Sequence, residues 1–149
     1  MFLSGGEVSP LPLVDNTPPR IKAMLVMAPE RRIPLLEALE SCGIDVLPAC
    51  DCNEAQRMRE AQPPVQVVVT DAVLHDGDWR RVLAVVAQGR AKIEVIVCSR
   101  LGDYNLWIDV LEQGGYDVLV EPFDQAEVRR IVEAAAARNY IGSPALAIN

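Results

Sequence analysis

Asp71 closes the apolar run Val65-Gln66-Val67-Val68-Val69-Thr70. A run that apolar is the pattern of a strand buried on both faces, as in a parallel sheet. A carboxylate at its C-terminal end then stands at the sheet rim, where open α/β folds build their sites. Ser99 and Arg100 follow a second such run, Glu94 to Cys98, and Glu121 follows a third, Asp117 to Val120. Chemistry at this rim draws on two carboxylates, a hydroxyl and a guanidinium. His75, in the loop beyond Asp71, would need a partner and a substrate pocket to act as a base; neither is visible, and it reads as a surface-loop residue. Asp76, Gly77 and Asp78 make a turn and a helix cap. Cys50 and Cys52 lack the spacing of a zinc site, so Cys42, Cys50, Cys52 and Cys98 read as reduced thiols and no metal site is expected from them.

Positioning these groups falls to a regular alternation of strands and helices. Strands are expected at Lys22 to Met27, Asp45 to Ala49, Val65 to Thr70, Glu94 to Cys98 and Asp117 to Val120. A helix pattern follows each. The first spans Ile33 to Cys42, with Leu35, Leu36 and Leu39 inward and Gly43 as its stop; Pro34 fits only a first turn. Asn53 and Gln56 resemble a capping box opening the second, which ends before Pro63-Pro64. The third covers Asp78 to Gln88, the fourth Tyr104 to Gln113 and the fifth Asp124 to Arg138. Five such units with short loops imply right-handed crossovers. The expected product is a doubly wound parallel α/β sandwich, a flavodoxin-like (βα)5 fold of strand order 2-1-3-4-5. Residues 1–20, with Gly5-Gly6, Pro10, Pro12 and Pro18-Pro19, read as a flexible N-terminal segment; 21–138 form the domain and 139–149 a loose C-terminal tail.

The chain has 149 residues, enough for one domain with a real core and too few for two ordinary ones. Half are apolar, which excludes wholesale disorder. With 14 Lys and Arg against 21 Asp and Glu, the formal charge is −7, which argues against a nucleic-acid-binding surface and its clustered cations. No apolar run approaches the ~20 residues of a membrane span, and the N-terminus lacks a signal-peptide pattern, so a cytoplasmic protein is expected.

Two stretches carry a family resemblance. Val68 to Trp79 (Val-Val-Thr-Asp-Ala-Val-Leu-His-Asp-Gly-Asp-Trp) resembles the phosphoacceptor strand and loop of response-regulator receiver domains, with His75 where proline is usual. Gly114 to Asp124 (Gly-Gly-Tyr-Asp-Val-Leu-Val-Glu-Pro-Phe-Asp) is similar to the segment around that family's fifth strand. The resemblance covers Ile21 to about Arg138. It implies that Asp71 matches the aspartate that takes a phosphoryl group from a histidine kinase. By the same resemblance, Ser99 matches the hydroxyl residue that hydrogen-bonds that group. Met27 and Ala28 fall where the family has two acidic residues that hold Mg²⁺, Glu121 where it has lysine, and Val118 where an aromatic residue switches rotamer. Glu121-Pro122 matches a Lys-Pro bond that is commonly cis in the family.

The departures from the family remove chemistry. Phosphoryl transfer rests on positioning and on cationic stabilisation of the oxygens. Met27 and Ala28 offer Mg²⁺ no oxygen ligand, and Glu121 sets a like charge beside Asp71. Arg100 stands where a small residue is usual; its guanidinium is placed to reach Asp71, Glu121 or both, or else points into solvent.

The resulting expectation is a pseudo-receiver of bacterial two-component signalling. It is not an enzyme, it acts by protein–protein interaction, and phosphorylation at Asp71 is weak or absent. No cofactor is expected, with Mg²⁺ binding weak or absent. The implied partner is a histidine kinase or another signalling protein, and a homodimer through the fourth helix, fifth strand and fifth helix is one arrangement open to it. Tyr104 and Trp107 are either part of a contact surface or partly buried. The alternative is a phosphorylatable receiver. A remoter one is a flavodoxin-like ligand-binding module, which would want a Ser/Thr/Gly-rich loop where this chain has Ala28-Pro29-Glu30-Arg31-Arg32.

Overall fold

The computed structural model describes residues 20–61, 65–89, 91–100 and 103–141. The N-terminal segment up to 19 and the tail from 142 onward lie outside the described residues. Strands β1 (Lys22–Val26), β2 (Asp45–Ala49), β3 (Val67–Asp71), β4 (Glu94–Ser99) and β5 (Asp117–Val120) form one parallel sheet. Their order is β2-β1-β3-β4-β5, as the alternation predicts.

β3 and β4 are buried along their whole length, which is what their unbroken apolar runs require of central strands. Side chains alternate between two layers. Leu25, Met27, Val67, Val69, Ile96 and Cys98 face α1 (Pro29–Ser41) and α5 (Gln125–Ile141), which contribute Leu35, Leu39, Val128, Ile131 and Val132. Met24, Val26, Val68, Val95 and Val97 face the other layer. There they meet Ala55 of α2 (Cys52–Ala61), Val82 and Val86 of α3 (Trp79–Ala87) and Val110 of α4 (Tyr104–Glu112). No described helix is long and apolar enough to cross a membrane.

Helix starts depart from the apolar pattern, and the departures matter for the site. α1 opens at Pro29 rather than at Ile33. Proline suits the first helical position, where its missing N–H is not needed and its fixed φ is already helical. Ala28 stays extended (φ −57°, ψ 144°), and its carbonyl accepts the amides of Arg31 and Arg32. Pro34 therefore lies inside the helix rather than in its first turn. It is exposed, so solvent can reach the Glu30 carbonyl that loses its amide partner.

α2 opens early as well. Asp51 Oδ1 accepts the amide of Glu54 at 2.8 Å, and Glu54 Oε1 accepts the amide of Cys50 at 2.7 Å. Gln56, expected in a capping box with Asn53, instead donates to Glu60 and Gln88. A carboxylate outcompetes the Asn53 amide here because it also faces the positive end of the helix dipole. Asp78, Asp103 and Asp124 cap α3, α4 and α5 in the same way, so Asp78 and Asp124 precede the helices they were expected to begin. Gly43, at φ +79°, takes the left-handed conformation just past the end of α1. α5 runs to Ile141, so residues 139–141 belong to the helix and not to a tail.

Candidate functional site

The ends of β1, β3, β4 and β5 bring Met27, Asp71, Ser99 and Glu121 to one edge of the sheet. Asp71 is the last residue of β3, and its side chain is 9% exposed. Its carboxylate lines a surface pocket with Ser99 and Arg100, and a guanidinium engages both of its oxygens. Arg31 Nε donates to Asp71 Oδ2 at 2.6 Å, and Arg31 Nη2 donates to Asp71 Oδ1 at 3.1 Å. The same Nη2 donates to Glu121 Oε2 at 2.7 Å. One guanidinium thus bridges both carboxylates, with its planar fork on Asp71. The hydrogen bonds to Asp71 raise the Arg31 pKa further above its ordinary value, against the opposing effect of burial.

Of the two placements open to Arg100, an ion pair with these carboxylates or solvent, the structure shows the second. Arg100 lies one residue past β4, is exposed, and makes no ion pair among the described residues. Arg31 takes the position because α1 starts at Pro29, which puts residue 31 in the first helical turn beside the end of β3. Proline as a helix-start signal at position 29 was readable in the sequence and would have moved Arg31 out of the loop.

The other expected site residues fall as follows. Met27 is fully buried in the α1–α5 layer, and its amide donates to Ala49 O at 2.9 Å. Ala28 offers only its backbone, already spent on α1. Ser99 ends β4 and is buried, and its carbonyl accepts the Glu121 amide at 2.9 Å. Val118 is half-buried against the α2–α4 layer. Glu121-Pro122 is cis. Cys98, beneath the pair, is an unreactive thiol: burial, then the charges of Asp71 and Glu121, hold its pKa well above the usual thiol range. A Mg²⁺ ion wants several oxygen ligands in octahedral array. Met27 and Ala28 supply none from their side chains, and both Asp71 oxygens face a guanidinium. The residues present do not fit that ion.

A second polar cluster joins the start of α2 to the loop after β3. His75 Nε2 lies 2.8 Å from Asp51 Oδ2, so His75 has a partner although its side chain is 74% exposed. Asp76 accepts the amides of Cys52 and Asn53, both at 3.0 Å, and lies 3.7 Å from Arg81. Asp51, His75 and Asp76 could in principle present three ligand atoms to a cation. Both Asp76 oxygens are already committed to backbone amides and a guanidinium stands beside them, so the cluster works as a cap for α2. The amides of Cys52 and Asn53 help to hold the Asp76 carboxyl below the usual range despite its burial.

On α4 only Val110 is fully buried, whereas Trp107 and Leu111 are each 39% exposed and Tyr104 is 69% exposed. Tyr104 and Trp107 stack at 5.8 Å between ring centroids, and Trp107 Nε1 donates to Asp117 Oδ1 at 3.2 Å. Val120 of β5, 42% exposed, adds to the apolar surface left open in this part of the fold.

No protein-family model matches the chain. Among curated proteins, it is 28% identical over 124 residues to the alkaline phosphatase synthesis transcriptional regulatory protein PhoP of Bacillus subtilis, covering 83% of this chain and 51% of that protein. The chain therefore spans about half the length of that relative. The chemotaxis protein CheY of Bacillus subtilis is 27% identical over 105 residues, covering 69% of this chain and 83% of that one. Among solved structures, the receiver domain of a sensor histidine kinase from Pseudomonas aeruginosa, with a magnesium ion coordinated in its active site cleft, is similar at a TM-score of 0.69. That match has 21% identity over 80% of this chain and 99% of the other. A five-stranded parallel sheet of this order, with an aspartate at the end of its central strand, defines the class as a flavodoxin-like receiver fold. The relatives narrow it: the proteins and solved structures this chain is similar to are response regulators of two-component signal transduction and their receiver domains.

Proposed function

We propose that this receiver signals through protein–protein contact without Mg²⁺-dependent phosphorylation of Asp71. The observation that carries the reading is the Arg31 bridge across Asp71 and Glu121. An acyl phosphate at Asp71 would have to displace a bidentate guanidinium and face a carboxylate where phosphoryl transfer calls for cations. Ser99 and Val118 stand at the switch positions, but Val118 has no polar tip to exchange between water and core. Met27 and Ala28 stand at the acidic-pair positions without a side-chain oxygen, so Mg²⁺ binds weakly or not at all. The chain performs no catalysis of its own. It works in the cytoplasm, its partner is a histidine kinase or another signalling protein, and the apolar α4–β5 surface with α5 supports docking or a homodimer.

Amide NMR with millimolar Mg²⁺ and beryllofluoride tests this. The expected result is no saturable shift at Asp71, Ser99 or Val118. Saturable shifts centred on Asp71 and Ser99, or stoichiometric labelling of Asp71 by a small acyl phosphate, would overturn the reading in favour of a phosphorylatable receiver.

A further inference from the structure

The layer of the fold that faces α2 and α3 holds a cavity of about 140 Å³. Its wall is aliphatic, with Met24, Met58, Val68, Val82 and Val85 among the lining residues. A space of this size accepts a benzene-sized molecule. One polar group departs from that apolar wall. Arg59 lines the cavity, and its Nε is buried without a hydrogen-bond partner among the described residues. The far end of the guanidinium is engaged, where Nη2 lies 3.3 Å from Gln88 Oε1.

Gly89 stands beside the guanidinium. A Cβ at that position would come 3.0 Å from Arg59 Nη1. Folded proteins leave few buried donors unpaired, and a buried N–H of a charged group is among the costlier to leave so. A small apolar space beside an unpaired cationic donor matches a ligand with an apolar body and an anionic acceptor. We propose that this cavity binds a small apolar carboxylate, aromatic or branched and about the size of benzene. Its carboxylate accepts from Arg59 Nε, and its hydrocarbon part rests against Met58, Val82 and Val85. The proposal does not depend on whether Asp71 is phosphorylated, because none of these residues takes part in the Arg31 bridge.

Methyl NMR of the whole chain, titrated separately with benzoate, benzene and benzylammonium, tests it. Benzoate should shift the Met24, Met58, Val82 and Val85 methyls saturably and bind ~10-fold or more tightly than benzene, the gain of one charge-assisted hydrogen bond. Benzylammonium should not bind. Arg59→Met should lower benzoate affinity ~10-fold and leave benzene unchanged, and Val85→Phe should abolish both by filling the space. Should Arg59→Met fail to fold, the three probes on the unaltered chain still decide the matter. The proposal is overturned if benzoate leaves those methyls unshifted, if benzene or benzylammonium binds as well as benzoate, or if Arg59→Met binds benzoate like the parent.

Discussion

Arg31→Ala removes the only group that holds Asp71 and Glu121 together among the described residues, and its cost can be worked from the geometry. The side chain makes three charge-assisted hydrogen bonds, at 2.6, 3.1 and 2.7 Å. Such bonds contribute ~1.5–3 kcal/mol each, and less than the sum when they share one guanidinium. Deleting the cation also leaves two carboxylates face to face. Both contact the same Nη2, so the contacting oxygens lie within about 6 Å, where like charges cost roughly 3 kcal/mol at an effective dielectric near 20. Exposure of 20% at Arg31 and 29% at Glu121 admits water and reduces both effects.

The net expectation is a loss of about 2–4 kcal/mol, at or below the range for removing one partner of a buried pair. Urea denaturation at neutral pH should show the midpoint falling with little change in slope. Arg100→Ala, at an exposed residue with no described ion pair, should stay within ~0.5 kcal/mol of the parent. Adding Glu121→Lys to Arg31→Ala returns a cation beside Asp71 and should recover a substantial part of the loss. The Arg31 pKa is raised in the folded state, so its contribution is present below the unfolded value and fades only as pH rises through the still higher folded one. The arginine itself therefore adds no pH dependence near neutrality. A loss below ~0.5 kcal/mol for Arg31→Ala, or equal losses for Arg31→Ala and Arg100→Ala, would refute the bridge as a structural element.

Asp51→Ala removes the cap of α2 and should cost about 1 kcal/mol. The Glu54 amide, with help from His75, holds the Asp51 carboxyl below its ordinary range against the opposing effect of burial. Its stabilisation is therefore present above about pH 4 and lost as pH falls through the lower folded value, so parent and variant should converge in acid. A difference that widens in acid would contradict that sign. Trp107→Ala should cost about 2–3 kcal/mol, less than a fully buried ring would, because 39% of the residue is already in water. If the α4–β5 face carries self-association, the same variant should lower the dimer fraction in sedimentation equilibrium. A parent chain that stays monomeric at every concentration would remove the homodimer from the proposed function.

Much of the fold was legible because its signals are local. Unbroken apolar runs marked β3 and β4 as central, and alternating strand and helix patterns limited the sheet to a parallel topology. The same rules put Asp71 at the rim, and the Gly114 to Asp124 stretch carried the family resemblance around β5. Helix starts were less legible, because the apolar period shows only where a helix is buried. The residues that open α1 and α2 are polar or proline, and their caps depend on side-chain contacts such as Asp51 to Glu54.

The sequence by itself determined the layers, the strand order and the place of an aspartate at the end of a central strand. Tertiary structure decided which cation answers that aspartate. Arg31 lies 40 residues from Asp71 and 90 from Glu121, and Arg100 was the nearer choice along the chain. No local pattern ranks such pairs, because the outcome depends on where the first turn of α1 comes to rest over the end of β3. The Nε of Arg59, unpaired among the described residues, belongs to the same category, since burial and pairing exist only once α2, α3 and the sheet have packed together.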